Sequence, residues 1–231
     1  MTTVEHIILD KDGTITDLHI YWKEIILRRA AALAKITPHY SRDLCATMGF
    51  DLITGKMLQR GPVGVKSREE VISRVALYTE LPEDVVRAIF NDVQEAFKPH
   101  RHKFIKLLPG VKTFMQTRYA YGIKFSLMTG DLTDNAREAL AYTGLLDYFD
   151  HVLGQDAMQY PKDSGIDAWE ISTLYKGTTV VIGDTLTDLE MARRANLRCY
   201  SVATGQVPFH TLDKENRGNT FTGIGELPWD L

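Results

Sequence analysis

The chain has 231 residues, 44% of them hydrophobic and 25% charged, and a net charge of −3. The length suits one α/β domain, or a core domain carrying a smaller insert, and the composition is that of a soluble globular protein. The slight negative charge supplies no basic field for nucleic acid or an anionic membrane, so an anionic ligand must be held by a local site.

In chain order, Val4–Asp10 reads as a short apolar strand, and Gly13 permits a sharp turn off its end. From residue 20 the pattern becomes helical. YWKEIILRRAAALAKI sets Ile20, Leu27, Ala31 and Ala34 on one side and pairs Glu24 with Arg28 at i,i+4, until Pro38. SRDLCATMGF follows, with Ser41 as N-cap and a stop near Gly49. SREEVISRVALYTE carries a capping-box pattern from Ser67 to Glu70, and PEDVVRAIFNDVQEAF opens on Pro82 with acids in its first turn. No clear strand is legible between residues 17 and about 102.

Strands then alternate with helices. GVKTFMQTRYAYG is a helix, IKFSLMTG (123–130) a buried strand, DLTDNAREALAYTG a helix and HVLG a short strand. SGIDAWEISTLY is a helix, TTVVIGD (178–184) a very apolar strand, TLTDLEMARRAN a helix, LRCYSVA a strand, and TFTGIGELPWDL a closing strand and turn. Such alternation implies right-handed crossovers and a parallel, Rossmann-like sheet. The expected organisation is therefore a core from residues 1–16 and 103–231, with 17–102 as an inserted helical domain. Cys45 and Cys199 lie far apart and outside any C-x-x-C pattern, which fits a reducing compartment. MTTVEHIILD lacks the basic start of a signal peptide, and no run approaches the ~18 apolar residues of a membrane span, so the expected location is cytoplasmic.

In an open parallel sheet, ligands bind beyond the carboxyl ends of the strands. The first strand ends in Asp10 and Asp12, the second in Thr129–Gly130–Asp131, and the fourth in Gly183–Asp184, with Asp188 one helical turn on. Lys162 lies in the loop before the third of these core helices. Asp131 reads as the N-cap of its helix and stays outside the catalytic set. Together the segments deliver carboxylates, a hydroxyl and an ammonium to one edge.

This assembly resembles the haloacid dehalogenase superfamily, mostly phosphatases. ILDKDGTITD is similar to its first motif D-x-D-G-T, FSLMTG to the second, Lys162 in YPKDSG to the third, and VVIGDTLTDLEMA to the fourth, G-D-x-x-x-D. GLLDYFDHVLGQD further resembles members with a helical cap, phosphoglycolate phosphatase-like proteins among them. Two departures stand out: Pro161 precedes Lys162 where relatives often have Lys then Pro, and Gly130 follows Thr129 where many have Asn.

The resemblance implies Mg²⁺ held by Asp10, Asp184 and the backbone carbonyl of Asp12. It implies Asp10 as the nucleophile that becomes an aspartyl-phosphate, and Asp12 as the general acid and then base. Lys162, Thr129 and the backbone at Gly130 would bind the phosphoryl oxygens, and Asp188 would orient Lys162 or the metal waters. Ion-pumping relatives carry DKTGT; DKDGT here favours rapid turnover. The loop GKMLQRGPVGVKSR offers Arg60 and Lys66 as candidates for reading the substrate's leaving group, and His19 and Trp22 stand near the hinge of the insert.

The expected activity is thus hydrolysis of a small phosphate ester, of the phosphoglycolate or sugar phosphate type, by a monomer or homodimer without nucleic-acid or membrane partners. The rivals are a phosphomutase of the same superfamily and a non-catalytic phosphate-binding member. A response-regulator receiver also uses Asp, Thr and Lys, but its phosphorylated Asp ends a later strand and no such insert follows the first.

Overall fold

A computed structural model describes residues 4–59, 61–63 and 68–228. The chain divides into two compact units, Met1–Asp17 with Lys106–Leu231, and Leu18–Ile105. In chain order the elements are strand β1 (Val4–Leu9), helices α1 (Leu18–Leu33) and α2 (Ser41–Met48), strands β2 (Phe50–Asp51) and β3 (Lys56–Met57), and helices α3 (Arg68–Thr79) and α4 (Glu83–Phe97). There follow α5 (Val111–Ala120), β4 (Lys124–Met128), α6 (Thr133–Thr143), β5 (Phe149–Leu153), α7 (Ile166–Ser172), β6 (Thr178–Gly183), α8 (Leu186–Arg194), β7 (Arg198–Val202), α9 (Phe209–Glu215) and β8 (Thr220–Phe221). No described helix is long and apolar enough to cross a membrane.

The first unit is a six-stranded sheet in the order β5-β4-β1-β6-β7-β8. Every pairing in it is parallel. Helices cover both faces, so the strands read as continuous apolar runs whose alternate residues serve two cores. Ile7, Leu9, Phe125, Leu127, Val180 and Ile182 pack with α5 and α6. Ile8, Met128, Val181 and Cys199 pack with α7 and α8. Each such aliphatic side chain, once fully buried, contributes about 1.5–3 kcal/mol. β1 is the central strand, with β4 on one side and β6 on the other, so the winding of the sheet reverses at its carboxyl end.

One buried residue of β1 breaks the apolar run. His6 is fully buried, with Nε2 2.8 Å from Ser126 Oγ and Nδ1 3.2 Å from Thr179 Oγ1. Its ring stacks on Tyr175 at 3.8 Å between centroids. A polar rung thus crosses β4, β1 and β6, and its side chains satisfy one another.

The second unit is helical. Ile26, Ala30 and Leu33 of α1, Leu44 and Met48 of α2, Val71, Ile72 and Val75 of α3 and Val86 and Phe90 of α4 share one core. It also contains a strand pair that the sequence reading did not anticipate: β2 and β3 pair antiparallel, Phe50 opposite Met57 and Asp51 opposite Lys56. Two-residue strands leave no alternation to detect; the pair depends on the turn around Asp51 and on Phe50 and Met57 entering the helical core. The N-cap of α2 is Tyr40, not Ser41, and makes no side-chain bond. Ser67 of the expected capping box lies outside the described residues. Helix α9 forms within 204–219, between the strands expected at LRCYSVA and TFTGIGELPWDL.

Gly49 ends α2 in the left-handed region, φ 94°. A Cβ there would lie 2.6 Å from Gly61 Cα, whereas at Gly55, φ 68°, it would meet nothing within 4 Å. Gly55→Ala is expected to cost about 1 kcal/mol of backbone strain. Gly49→Ala adds a clash between two backbones and should cost clearly more, about 2–4 kcal/mol, read as the difference between the two variants in urea unfolding.

Burial, reinforced by the charge of His151, lowers the His6 imidazole to about 3. His6 is therefore neutral in the fold, while in the unfolded chain it protonates below about 6.5. The unfolded state binds the extra proton, so stability is lost as pH falls through that window. Between about pH 6 and pH 4 the wild type should lose about 1.4 kcal/mol per pH unit more than His6→Gln. Equal slopes in denaturant titrations would show that His6 protonates in place.

Candidate active site

The carboxyl ends of β1, β4 and β6 supply the polar side chains. Asp10 follows β1 directly, and its N–H donates to Ile182 O at 3.0 Å, so the strand register carries into the site. The next residues fold back: Ile15 and Thr16 N–H both bond Lys11 O, and Gly13 N–H bonds Thr16 O, with Gly13 at φ 92°. Asp184 follows β6, and Asp188 lies in the first turn of α8, where it forms a capping box with Thr185. Lys162 starts a short 3₁₀ turn before α7. Gly165 closes that turn at φ 74°, and a Cβ on it would lie 2.6 Å from Met191 O, so only glycine lets the turn seat against α8.

Asp10, Asp184 and Asp188 each offer a carboxylate oxygen within 4.8 Å of the others, and all three are buried. Lys162 Nζ donates to Asp10 Oδ1 at 2.5 Å and lies 2.7 Å from Asp188 Oδ1. Asp188 Oδ1 thus shares the Lys162 ammonium with Asp10. Asp188 Oδ2 accepts from Thr185 N at 3.0 Å and Thr185 Oγ1 at 2.6 Å. Thr14 Oγ1 donates to Asp184 Oδ1 at 3.1 Å, while Asp184 Oδ2 is buried with no hydrogen-bond partner among the described residues.

The titration behaviour follows from this crowding. Burial and the Asp188 and Asp12 charges push Asp10 up, against the pull of Lys162. Burial and the charges of Asp10 and Asp188 push Asp184 well above the usual carboxylate range. Burial alone would lower the Lys162 ammonium, but Asp10 and Asp188 outweigh it and raise it. Among the described residues, three carboxylates thus crowd around one ammonium.

Thr129 is buried at the end of β4 and accepts the Asp131 N–H at 3.2 Å, which leaves its own hydroxyl proton for a ligand. Gly130 is exposed, and a Cβ there would meet nothing within 4 Å. Asp12 stands apart from the carboxylate cluster. Its Oδ2 takes the Lys11 ammonium at 2.7 Å and its Oδ1 the Thr16 hydroxyl at 2.9 Å. Asp131 is not the N-cap of α6. That position is Leu132, and the Thr133 N–H is taken by Asp156 Oδ1 at 2.7 Å, from the loop after β5.

In the helical unit, His19 Nδ1 accepts the Met57 N–H at 3.2 Å, and Trp22 packs on the helical core. Arg60 and Lys66 lie outside the described residues. Three participants carried no role in the sequence reading: Lys11, Thr14 and Gly205. A Cβ on Gly205 would fall 1.7 Å from Asp184 Oδ2, so the glycine is the wall that lets this carboxylate in. Nothing in the local sequence around Gly205 marks it, because the contact is made across the sheet edge.

The cluster could bind a metal ion. An all-carboxylate donor set and a buried Asp184 oxygen that has no hydrogen-bond partner among the described residues suit a hard divalent cation with oxygen preference. Asp10 and Asp184 would hold it.

The "Probable phosphatase IndB" of Dickeya dadantii is 32% identical over 111 residues, 47% of either chain. A phosphoglycolate phosphatase of Vibrio vulnificus is 23% identical over 212 residues, covering 87% of this chain and 85% of that one. The chain spans 47–60% of the length of the curated relatives it matches first. The crystal structure of a predicted phosphoglycolate phosphatase from Haemophilus somnus 129PT superposes with a TM-score of 0.76 at 16% identity, over 97% of this chain and 96% of that one, a likeness of fold. The family model for haloacid dehalogenase-like hydrolases matches residues 4–196, most of the chain and the carboxyl ends of β1, β4 and β6, and the chain belongs to that family.

Proposed function

We propose that this chain is a Mg²⁺-dependent phosphomonoester hydrolase acting on a small soluble metabolite, of the phosphoglycolate or sugar phosphate type, through an aspartyl-phosphate on Asp10. The observation that carries this reading is the Lys162 ammonium shared by Asp10 and Asp188 in a pocket of three crowded, buried carboxylates. Phosphatase names among the relatives support it. The helical insert is read as a cap domain, and the setting is cytoplasmic, which suits two free, buried cysteines.

A bound Mg²⁺ would neutralise the crowded carboxylates and polarise the phosphoryl oxygens. The chain's own groups do the rest. Lys162 holds one oxygen of Asp10, which fixes the carboxylate plane and leaves the other oxygen to attack phosphorus. Lys162 and the Thr129 hydroxyl donate to the equatorial oxygens as charge gathers there. Asp12 protonates the departing alcohol, then takes a proton from the water that opens the aspartyl-phosphate. Asp188 keeps Lys162 charged and aimed, since its other oxygen is fixed by Thr185.

The decisive test is phosphate release from a panel of small phosphate esters. Wild type should turn over at least one ester only with Mg²⁺, chelation should abolish release and added Mg²⁺ restore it. Asp10→Asn should lower kcat roughly 10³-fold or more. Release by Asp10→Asn at the wild-type rate would remove Asp10 as nucleophile.

Metal binding should also be visible without turnover. Mg²⁺ at about a hundred times its Kd should stabilise the wild type by about 2.7 kcal/mol in thermal unfolding. Asp184→Asn should lose that shift. It should also unfold at the same or higher temperature than metal-free wild type, because it relieves like-charge crowding.

A further inference from the structure

We propose that Lys11 positions the acid–base carboxylate of Asp12, with Asp131 as its anchor. The inference rests on the assignment of Asp12 above and adds two residues to it. Lys11 occupies the variable place between the two aspartates of the first motif and is only 4% exposed. A buried ammonium costs several kcal/mol unless it is paired. Its two partners are Asp12 Oδ2 at 2.7 Å and Asp131 Oδ2 at 3.2 Å.

Asp131 is itself fixed. Its Oδ1 accepts the Leu132 N–H at 2.8 Å and the Asn135 side-chain amide at 2.9 Å, so its other oxygen holds a set position at the start of α6. Lys11 therefore ties the loop after β1 to the loop after β4 and offers one N–H to Asp12. The second oxygen of Asp12 is held by Thr16, which the Gly13 turn fixes through Gly13 N–H to Thr16 O at 2.8 Å and Thr16 N–H to Lys11 O at 2.9 Å. An aspartate side chain that is 24% exposed, and would otherwise sample several rotamers, is pinned from two sides. A general acid works only within hydrogen-bond reach of the atom it protonates, and a displacement of about 1 Å can cost about 10²-fold.

The step concerned is phosphoryl transfer to Asp10. A bond forms from Asp10 oxygen to phosphorus, the bond from phosphorus to the leaving oxygen breaks, and its electron pair goes to that oxygen. The oxygen takes the proton from Asp12, which becomes a carboxylate. An alkoxide needs that proton; a nitrophenolate leaves without it. Misplacing Asp12 should therefore slow alkyl esters more than aryl esters, whereas a loosened fold would slow both alike.

The experiment compares kcat/KM for p-nitrophenyl phosphate and for the best primary alkyl phosphate of the panel. Asp12→Asn is the benchmark and should lose at least about 10²-fold more on the alkyl ester. Lys11→Met should lose roughly tenfold or more beyond its loss on the aryl ester, in the same sense. Asp131→Asn keeps the oxygen that faces Leu132 and should show a smaller loss of the same sense, which serves if Lys11→Met unfolds. Equal losses on both esters, or none, in Lys11→Met and Asp131→Asn while Asp12→Asn discriminates would overturn the role of Lys11 alone. No discrimination by Asp12→Asn would overturn the assignment of Asp12 and, with it, the reading it belongs to.

Discussion

Three buried carboxylates with oxygens inside 4.8 Å repel one another, and much of the local structure serves to hold them there. A single ammonium, Lys162, is drawn into the interior between two of them instead of reaching solvent. Asp188 can join the cluster because its other oxygen is spent on the capping box of α8. Gly183 lets Asp188 approach, since a Cβ there would lie 2.3 Å from the Asp188 carboxylate carbon; Gly205 does the same for Asp184. Burial first, and then the neighbouring carboxylates, push Asp10 and Asp184 up, and a cluster so crowded could bind a divalent cation.

Such strain is tolerable only on a stiff support. β1 and β6 lie in the middle of the sheet, apolar on both faces, and the residues that precede the charged ends, Leu9 and Ile182, are fully buried. Strand pairing fixes the spacing of Asp10 from Asp184, and the Asp10 N–H to Ile182 O bond extends that pairing into the site. The helical unit has its own core and contributes none of the cluster residues.

The fold was largely legible because a parallel sheet writes its strands as continuous apolar runs and its helices as periodic ones. Asp10, Asp12, Asp184 and Asp188 were legible as candidates because each follows a strand or opens a helix within a short motif. What escaped reading is what depends on contact across the chain. Thr14 and Gly205 reach Asp184 from other segments. Asp156, from the loop after β5, takes the capping bond at α6 that the sequence suggested for Asp131. The strand pair at Phe50 and Met57 is too short to have a period. His6 hides in an apolar strand because its partners, Ser126 and Thr179, come from the strands on either side.

The way the first unit is interrupted has a consequence for how the molecule is made. Its central strand comes first in the chain, but both neighbours come much later, so β1 waits for them while Leu18–Ile105 is synthesised. That stretch has a core of its own, and the chain leaves and re-enters the first unit at one place: Asp17 N–H bonds Lys106 O at 2.8 Å and Leu108 N–H bonds Ile15 O at 2.9 Å. Once the helical stretch has collapsed, the effective loop separating β1 from β4 is short, and the entropy of closing it falls accordingly. The same shared doorway makes the insertion modular. A helical unit of different size or sequence can be spliced between Asp17 and Lys106 without moving a strand, so the sheet and the insert can change independently.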